Sequence, residues 1–381
     1  AVFVGDGLIR RFGHCACLLR DGRAFVFGGS GPDEAGRHGR RATAQVVDLL
    51  RMTSVEVLPG MEVHPGGPML AACVPVPAGV LLLGGRGSPT PRGGATADGG
   101  SIALTLVTIP AEGAAAEAVG EARAQPLRAA SASSLPAARW RHSAVALEGA
   151  PGLVLLFGGR AAAEVFSDLW ILDAAQGLWV QVQTDGSAPR PAARHSHAAT
   201  PLPSSGSAES GAWVPVMLLT GGLDEGEEPL DDAFVLELRA PLRPDSDARW
   251  VRLDVSGRLR ARFGHTAHVW RGRAVIFGGV AAEPSAAAAD GHLEWWSMTA
   301  GPGAGSEPTE VHEACVELLG RAGEAGAAEG AFLAFGHASA LVRDELLVLG
   351  GGGSCFSFGI HVNTPVLRLS LPDVLPGSEG R

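Results

Sequence analysis

Six times along the chain a short run of aliphatic and aromatic residues ends in a glycine pair: Gly28-Gly29, Gly84-Gly85, Gly158-Gly159, Gly221-Gly222, Gly278-Gly279 and Gly350-Gly351, at intervals of 56 to 74 residues. A Gly-His or Arg-His step precedes most of them: Phe12-Gly13-His14, Trp140-Arg141-His142, Ala193-Arg194-His195, Phe263-Gly264-His265 and Phe335-Gly336-His337; the second unit lacks it. Between each histidine and its glycines lie two strand-like runs split by a turn, as in residues 15–19, Asp21-Gly22 and residues 24–27, which predicts a hairpin. Downstream come a run such as Asp168-Leu169-Trp170-Ile171-Leu172-Asp173 and a tryptophan-bearing run such as Leu178-Trp179-Val180. Each unit therefore reads as four strands.

Units of this kind, repeated at a period of about 50 residues or more, predict an all-β fold, a six-bladed kelch-type β-propeller in which each blade buries its faces against its neighbours. The paired glycines suit inner strands that crowd near the axis, where a side chain would collide. The blades are expected at about 5–60, 61–130, 135–185, 190–256, 258–320 and 331–372 plus 1–4, one propeller over 1–381. The last unit stops short of a fourth strand, so residues 1–4 are expected to pair into it and close the ring, leaving no long sheet edge open. The outer strands of the second and fifth blades are expected within 113–128 and near 310–318. The Ala/Gly/Pro/Ser-rich stretches 85–100, 111–134, 203–212, 281–291, 300–307 and 321–330 read as loops or insertions.

Composition narrows the function. No stretch approaches the roughly 18 to 20 unbroken apolar residues that cross a membrane, and no membrane partner is expected. The formal charge is −10, with 40 carboxylates against 30 basic residues, all of them arginine. Such a surface does not simply coat nucleic acid, so any anion site must be local. The five cysteines, Cys15, Cys17, Cys73, Cys315 and Cys355, show no metal-type spacing, which points to a reducing, cytoplasmic setting. Ala1 stands first with no signal-peptide pattern behind it, and a fragment is one reading of that start. Tyrosine is absent, which excludes copper-radical propellers, and no phosphate loop or metal cluster is visible. No catalytic, cofactor or metal residue is assigned. His195-Ser196-His197 reads as structural rather than as a metal or acid-base pair, and Cys15 and Cys17 read as core thiols.

In an antiparallel blade the start of the first strand, the end of the second and the start of the third emerge on one side. The arginines ahead of each histidine (Arg10, Arg11; Arg139, Arg141; Arg190, Arg194; Arg260, Arg262) are therefore expected to share a face with the segments after each glycine pair, including Arg37, His38, Arg86 and Arg160. Guanidinium groups gathered there could cradle a carboxylate or phosphate. The alternative is that each pairs with a neighbouring Asp or Glu, or packs over Phe12, Trp140 or Phe263; the histidines, likewise, can simply hold loops.

The stretch from Leu346 to Gly359, with four glycines followed by Cys355-Phe356-Ser357-Phe358-Gly359, resembles the end of the kelch region in the tRNA wybutosine-synthesizing protein 4 family, also called leucine carboxyl methyltransferase 2. Arg11-Phe12-Gly13-His14, Gly36-Arg37-His38, Leu83-Gly84-Gly85-Arg86 with Ser88-Pro89, Trp140-Arg141-His142-Ser143, Ala193-Arg194-His195-Ser196-His197, Gly221-Gly222-Leu223 with Glu227-Glu228-Pro229-Leu230, and Gly264-His265-Thr266-Ala267-His268-Val269 agree in order, so the resemblance spans essentially the whole chain. It implies a role in making wybutosine on phenylalanine tRNA. Family members carry an S-adenosylmethionine-dependent methyltransferase domain before the propeller, which methylates a side-chain carboxylate of the modified base and then adds a methoxycarbonyl group to its amine. That domain is missing here, so no S-adenosylmethionine is expected to bind this chain, which alone should be inactive. The resemblance places Arg11, His14, Arg37, His38, Arg86, Arg141, His142, Arg160, Arg194, His195, Arg262, His265, Cys355, Phe356, Ser357 and Phe358 on a face against the methyltransferase domain and the flipped-out base. The alternative function is a kelch adaptor that recruits a protein partner and has no enzymatic activity.

Overall fold

The computed structural model describes residues 2–4, 8–33, 35–57, 69–87, 102–109, 122–127, 130–131, 135–184, 188–203, 209–255, 259–281, 291–298, 312–316, 333–355, 359–363 and 366–375. Six antiparallel sheets are arranged as a β-propeller. The first is Cys15–Leu18, Ala24–Phe27, Ala44–Asp48 and Thr53–Glu56, and the second is Ala72–Val76, Gly79–Leu83, Leu104–Thr108 and Arg123–Pro126. The third, Ser143–Ala146, Leu153–Phe157, Leu169–Asp173 and Leu178–Val182, carries Ala130–Ser131 as a short parallel addition at its outer edge. The fourth is Ala198–Pro201, Trp213–Thr220, Ala233–Arg239 and Ala248–Arg252; the fifth is Thr266–Trp270, Arg273–Phe277, Gly291–Ser297 and His312–Val316. The sixth joins both ends of the chain: Val2–Val4 pairs antiparallel with Val366–Ser370, beside Glu345–Leu349 and Ala338–Val342. The described helix is a single turn, Leu371–Val374.

The second strand of each sheet reads as an unbroken apolar run because both of its faces are buried, one against each neighbouring sheet. Phe25 and Phe27 pack toward the second sheet, whereas Ala24 and Val26, on the other side of the same strand, join Leu347, Leu349 and Val366 of the sixth. The third sheet divides its residues in the same way: Leu155 and Phe157 face the fourth sheet, Val154 and Leu156 the second. The outer strands meet solvent, and in Thr53–Glu56 three of four residues are exposed.

A second set of contacts ties the sheets together near the axis. The second glycine of a pair donates its N–H to a carbonyl in the loop leading into the next sheet: Gly85 to Arg139 (3.0 Å), Gly159 to Arg194 (2.9 Å), Gly222 to Arg262 (2.9 Å), Gly279 to Ala334 (2.7 Å) and Gly351 to Arg11 (2.9 Å). Gly158 and Gly159 show why both must be glycine. Each has a positive φ (62° and 91°), and an added Cβ would lie 2.7 Å from the Arg194 carbonyl oxygen or 2.6 Å from the His142 Cβ.

The arginine that accepts this bond then turns its side chain into its own sheet. Nη1 of Arg11, Arg139, Arg194 and Arg262 donates to the carbonyl of Gly28, Gly158, Gly221 and Gly278 at 2.9 to 3.1 Å. The guanidinium forks onto Asp168 from Arg139 and onto Asp232 from Arg194, bonds Glu294 from Arg262, and reaches Thr43 and Gln45 from Arg11. The sixth sheet has Ala334 at this position, and Asn363 takes over, its amide donating to Gly350 (2.9 Å) and exchanging two bonds with Leu333.

This corrects the expectation that Arg11, Arg194 and Arg262 belong to a surface anion cradle. All three are 3% exposed or less, and their donors are used within the protein. Removing one leaves a carboxylate or carbonyl without its partner in a dry interior. Arg194→Ala should lower the unfolding free energy by about 3–5 kcal/mol, whereas Arg160→Ala, which breaks a partly solvated pair, should change it by about 1 kcal/mol or less. Urea denaturation monitored by tryptophan fluorescence measures both; equal effects would contradict the assignment.

Candidate functional site

The four residues leading into each first strand have separate tasks. The second of them forms a backbone bridge to the segment after its own glycine pair: Phe12 to Ser30, Met69 to Arg86, Trp140 to Arg160, His195 to Leu223 and Phe263 to Val280. These bridges hold both sets of loops on one face. The third position is a collar around the axis, Gly13, Leu70, Arg141, Ser196, Gly264 and Gly336, every member at φ between 55° and 68°. Its N–H groups point to the preceding sheet's collar carbonyl: Leu70 to Gly13, Arg141 to Leu70, Ser196 to Arg141, Gly264 to Ser196 and Gly13 to Gly336, at 2.8 to 3.0 Å.

The fourth position holds His14, Ala71, His142, His197, His265 and His337. Aligned on the locking arginine three residues earlier, the repeat histidine of the fourth unit is His197, and His195 occupies the aromatic position. This corrects the register expected from the Arg194-His195 step. His197 Nε2 bonds the Ser143 hydroxyl (2.9 Å), His337 the Thr266 hydroxyl (3.1 Å) and His265 the Thr220 hydroxyl (2.8 Å), each on the preceding sheet. The sheets that precede His14 and His142 place Ala338 and Ala72 where Ser143 and Thr266 stand elsewhere, and Leu349 and Leu83 where Thr220 stands. No hydroxyl is offered, and both ring nitrogens of His14 and His142 are buried without a hydrogen bond among the described residues.

Collar and histidines enclose an axial cavity of about 240 Å³, walled also by Phe12, Met69 and Phe335. Burial strips water from the imidazoles and nearby arginines oppose a second positive charge. His14, His142 and His265 are thereby pushed down to about 3, and His197 well below the usual range. Burial and the neighbouring His268 bring His337 to about 3. All five are neutral at pH 7, so among the described residues the one charged side chain lining the cavity is Arg141.

Around the mouth lie the other candidates. Arg86 is exposed, with its guanidinium 5.8 Å from the Trp140 ring centre, and Arg40 Nη1 lies 3.4 Å from the Arg86 carbonyl. Arg160 pairs with Glu227 and lies 3.4 Å from His195 Nε2, and the His195 Nδ1 meets the Ser196 hydroxyl at 3.1 Å. Burial, Arg141 and Arg160 lower His195 to about 4 against the opposing Glu227 carboxylate. Arg37 and His38 stand apart at the exposed tip of a hairpin built from Ser30–Pro32 and His38–Arg40, where Arg37 pairs with Asp33 at 2.9 Å.

Of the residues selected from the sequence, the structure thus brings Arg86, Arg141, Arg160 and His195 together, uses Arg11, Arg194 and Arg262 as locks, and puts His14, His142 and His265 in the cavity wall. Cys355 ends the strand Gly352–Cys355; Phe356, Ser357 and Phe358 lie outside the described residues. Arg40, Met69, Leu70, His197, Glu227 and Phe335 were not selected, although the Arg-x-x-His spacing marks His197 by position. Among the described residues no group of three His, Cys, Asp or Glu side chains could hold a metal ion, and no helix is long and apolar enough to cross a membrane. The chemistry on offer is anion binding through guanidinium donors.

The family model described as "tRNA wybutosine-synthesizing protein 4, beta-propeller" matches residues 130–365. The chain belongs to that family. Relatives named tRNA wybutosine-synthesizing protein 4 include one from Rattus norvegicus, 29% identical over 71% of this chain and 36% of its own length, and one from Homo sapiens, 32% identical over 37% of this chain and 18% of its own. A third, from Emericella nidulans, is 28% identical over 60% of this chain and 21% of its own length. The chain therefore spans about a third or less of the curated relatives it matches. The region matched by the wybutosine-protein propeller model contains Arg141, Arg160, His195 and Glu227, whereas Arg40 and Arg86 precede it.

Two predictions follow from the collar. Ala72→Ser and Ala338→Ser should give His142 and His14 the hydroxyl partner found elsewhere in the repeat, each raising stability by about 1 kcal/mol in chemical denaturation; no gain from either would contradict the pairing. The neutral histidines make stability pH-dependent. The unfolded chain takes up protons near 6.5 that the folded one refuses until about 3. Stability is then complete above 6.5 and lost as the pH falls, by ~1.4 kcal/mol per pH unit for each histidine. Urea midpoints should drop steeply between pH 6 and 5, and His142→Gln should flatten the slope; a level profile would rule this out.

Proposed function

We propose that this chain acts as the kelch-type propeller part of a tRNA-modifying methyltransferase and methoxycarbonyltransferase of wybutosine synthesis, with phenylalanine tRNA as its partner. The observation that carries the reading is the convergence of Arg40, Arg86, Arg141 and Arg160 on one face of an acidic protein that belongs to this family. Arg86 and Arg160 weaken the proton affinity of Arg141, after the larger effect of its burial, so these cations share one field. A phosphate or carboxylate of the RNA would relieve their repulsion, and the exposed Arg86 on Trp140 presents a flat cationic surface to a phosphate or a base.

The same face would meet a methyltransferase domain and wall the cleft that receives the base. S-adenosylmethionine is assigned to that domain. The axial cavity does not fit the donor: it is smaller than the roughly 300 Å³ at which ligand pockets begin, and among the described residues its lining contains no carboxylate for the ribose hydroxyls. No reaction step is placed on this chain.

Binding of phenylalanine tRNA by the purified chain, read by fluorescence anisotropy across a salt series, tests the proposal. The double variant Arg86→Glu/Arg160→Glu should bind at least about tenfold more weakly, with a log K against log salt slope smaller by about one per lost contact. Equal affinity and slope for the two proteins would overturn it.

A further inference from the structure

We propose that the axial cavity is itself a binding site for a small anionic group, a carboxylate or a phosphate, anchored by the Arg141 guanidinium. This does not rest on the tRNA reading; it rests on four features of Arg141.

The first is conformational. Collar positions require positive φ, and three of the six are glycine; Arg141 sits there at φ 56°, a region that disfavours any residue with a Cβ. The two other non-glycine members show what their side chains do: Leu70 packs beside Gly13, and the Ser196 hydroxyl bonds His195. Arg141 shows no such return.

The second is its lack of a partner. Its side chain is half-buried and makes no hydrogen bond or ion pair among the described residues. By contrast the locking arginines use nearly every donor, and Arg160 has Glu227.

The third is charge. Arg86, Arg141 and Arg160 form a cluster of three cations, and the one carboxylate that offsets Arg141 among the described residues, Glu227, is already held by Arg160 and His195. An anion over Arg141 would complete a cluster that the protein leaves positive.

The fourth is the cavity. About 240 Å³ bounded by neutral imidazoles, Leu70, Met69 and Phe335 suits a group whose apolar body enters while its anion stays at the mouth. Because the imidazoles are uncharged, the guanidinium of Arg141 and its cationic neighbours at the mouth fix where the anion sits.

Benzoate and phenyl phosphate are the probes, titrated calorimetrically into the purified chain at constant ionic strength set with chloride. At least one should bind saturably. Benzoate binding better identifies a carboxylate site, and phenyl phosphate binding better identifies a phosphate site. In Arg141→Gly the dissociation constant should rise about 10- to 100-fold, the range of a charged hydrogen-bonded contact. Glycine already occupies the equivalent position in three sheets, so this variant should fold, and its unfolding curve in chloride provides the check. Absence of saturable binding by both probes, or equal binding by the folded Arg141→Gly protein, would overturn the proposal, whatever the outcome with tRNA.

Discussion

Everything in this molecule depends on a crossing near the axis where two neighbouring sheets exchange backbone bonds with no side chain between them. A glycine N–H reaches the carbonyl of the next sheet's lead-in residue, and the guanidinium of that residue returns to the first glycine's carbonyl in its own sheet. The two halves need each other. The close approach buries polar backbone groups that must be paired, and arginine pairs a carbonyl and a carboxylate at once with a planar, permanently charged fork. The sixth sheet shows that the requirement is for donors and acceptors rather than for arginine as such, because Asn363 meets it from the position just after the strand Gly359–Val362.

That requirement explains which parts of the sequence could be read. The glycine pairs follow from sterics that tolerate no alternative, and the buried second strands follow from having a neighbour on each face, so six units and four strands apiece are visible in residue order alone. The arginines were less readable because one residue type serves two purposes within a few positions. Arg139 and Arg141 are two apart, yet one is 2% exposed and bound to Asp168 while the other reaches the cavity mouth. What separates them is a partner: an acidic residue just before the third strand, Asp168 or Asp232, or within it, Glu294, lies 29 to 38 residues downstream of Arg139, Arg194 and Arg262, while Arg11 finds Thr43 and Gln45 instead. The histidine register had its own signal in the Arg-x-x-His spacing, hidden in the fourth unit because His195 stands two residues before His197.

The candidate site is a by-product of the same architecture. Loops before the first strands and after the second strands are forced onto one face by the bridges between them, so whatever they carry must converge. Five of these lead-ins place an imidazole over the first glycine of the preceding pair, the His142 ring over Gly84 being one case, and packing of that kind keeps each ring dry and neutral.

A neutral wall changes what a single cation can do. Were the imidazoles protonated, the cavity would hold a diffuse positive charge, attracting many anions and orienting none. With the rings uncharged and the medium poorly polarisable, the field at the mouth originates from the Arg141 cluster and falls away across the cavity, so an entering group meets one direction of pull. The burial that stabilises the propeller at neutral pH therefore also gives the mouth its polarity, and acid would be expected to erase both together, since protons taken up by the histidines would loosen the sheets and spread the charge at the same time.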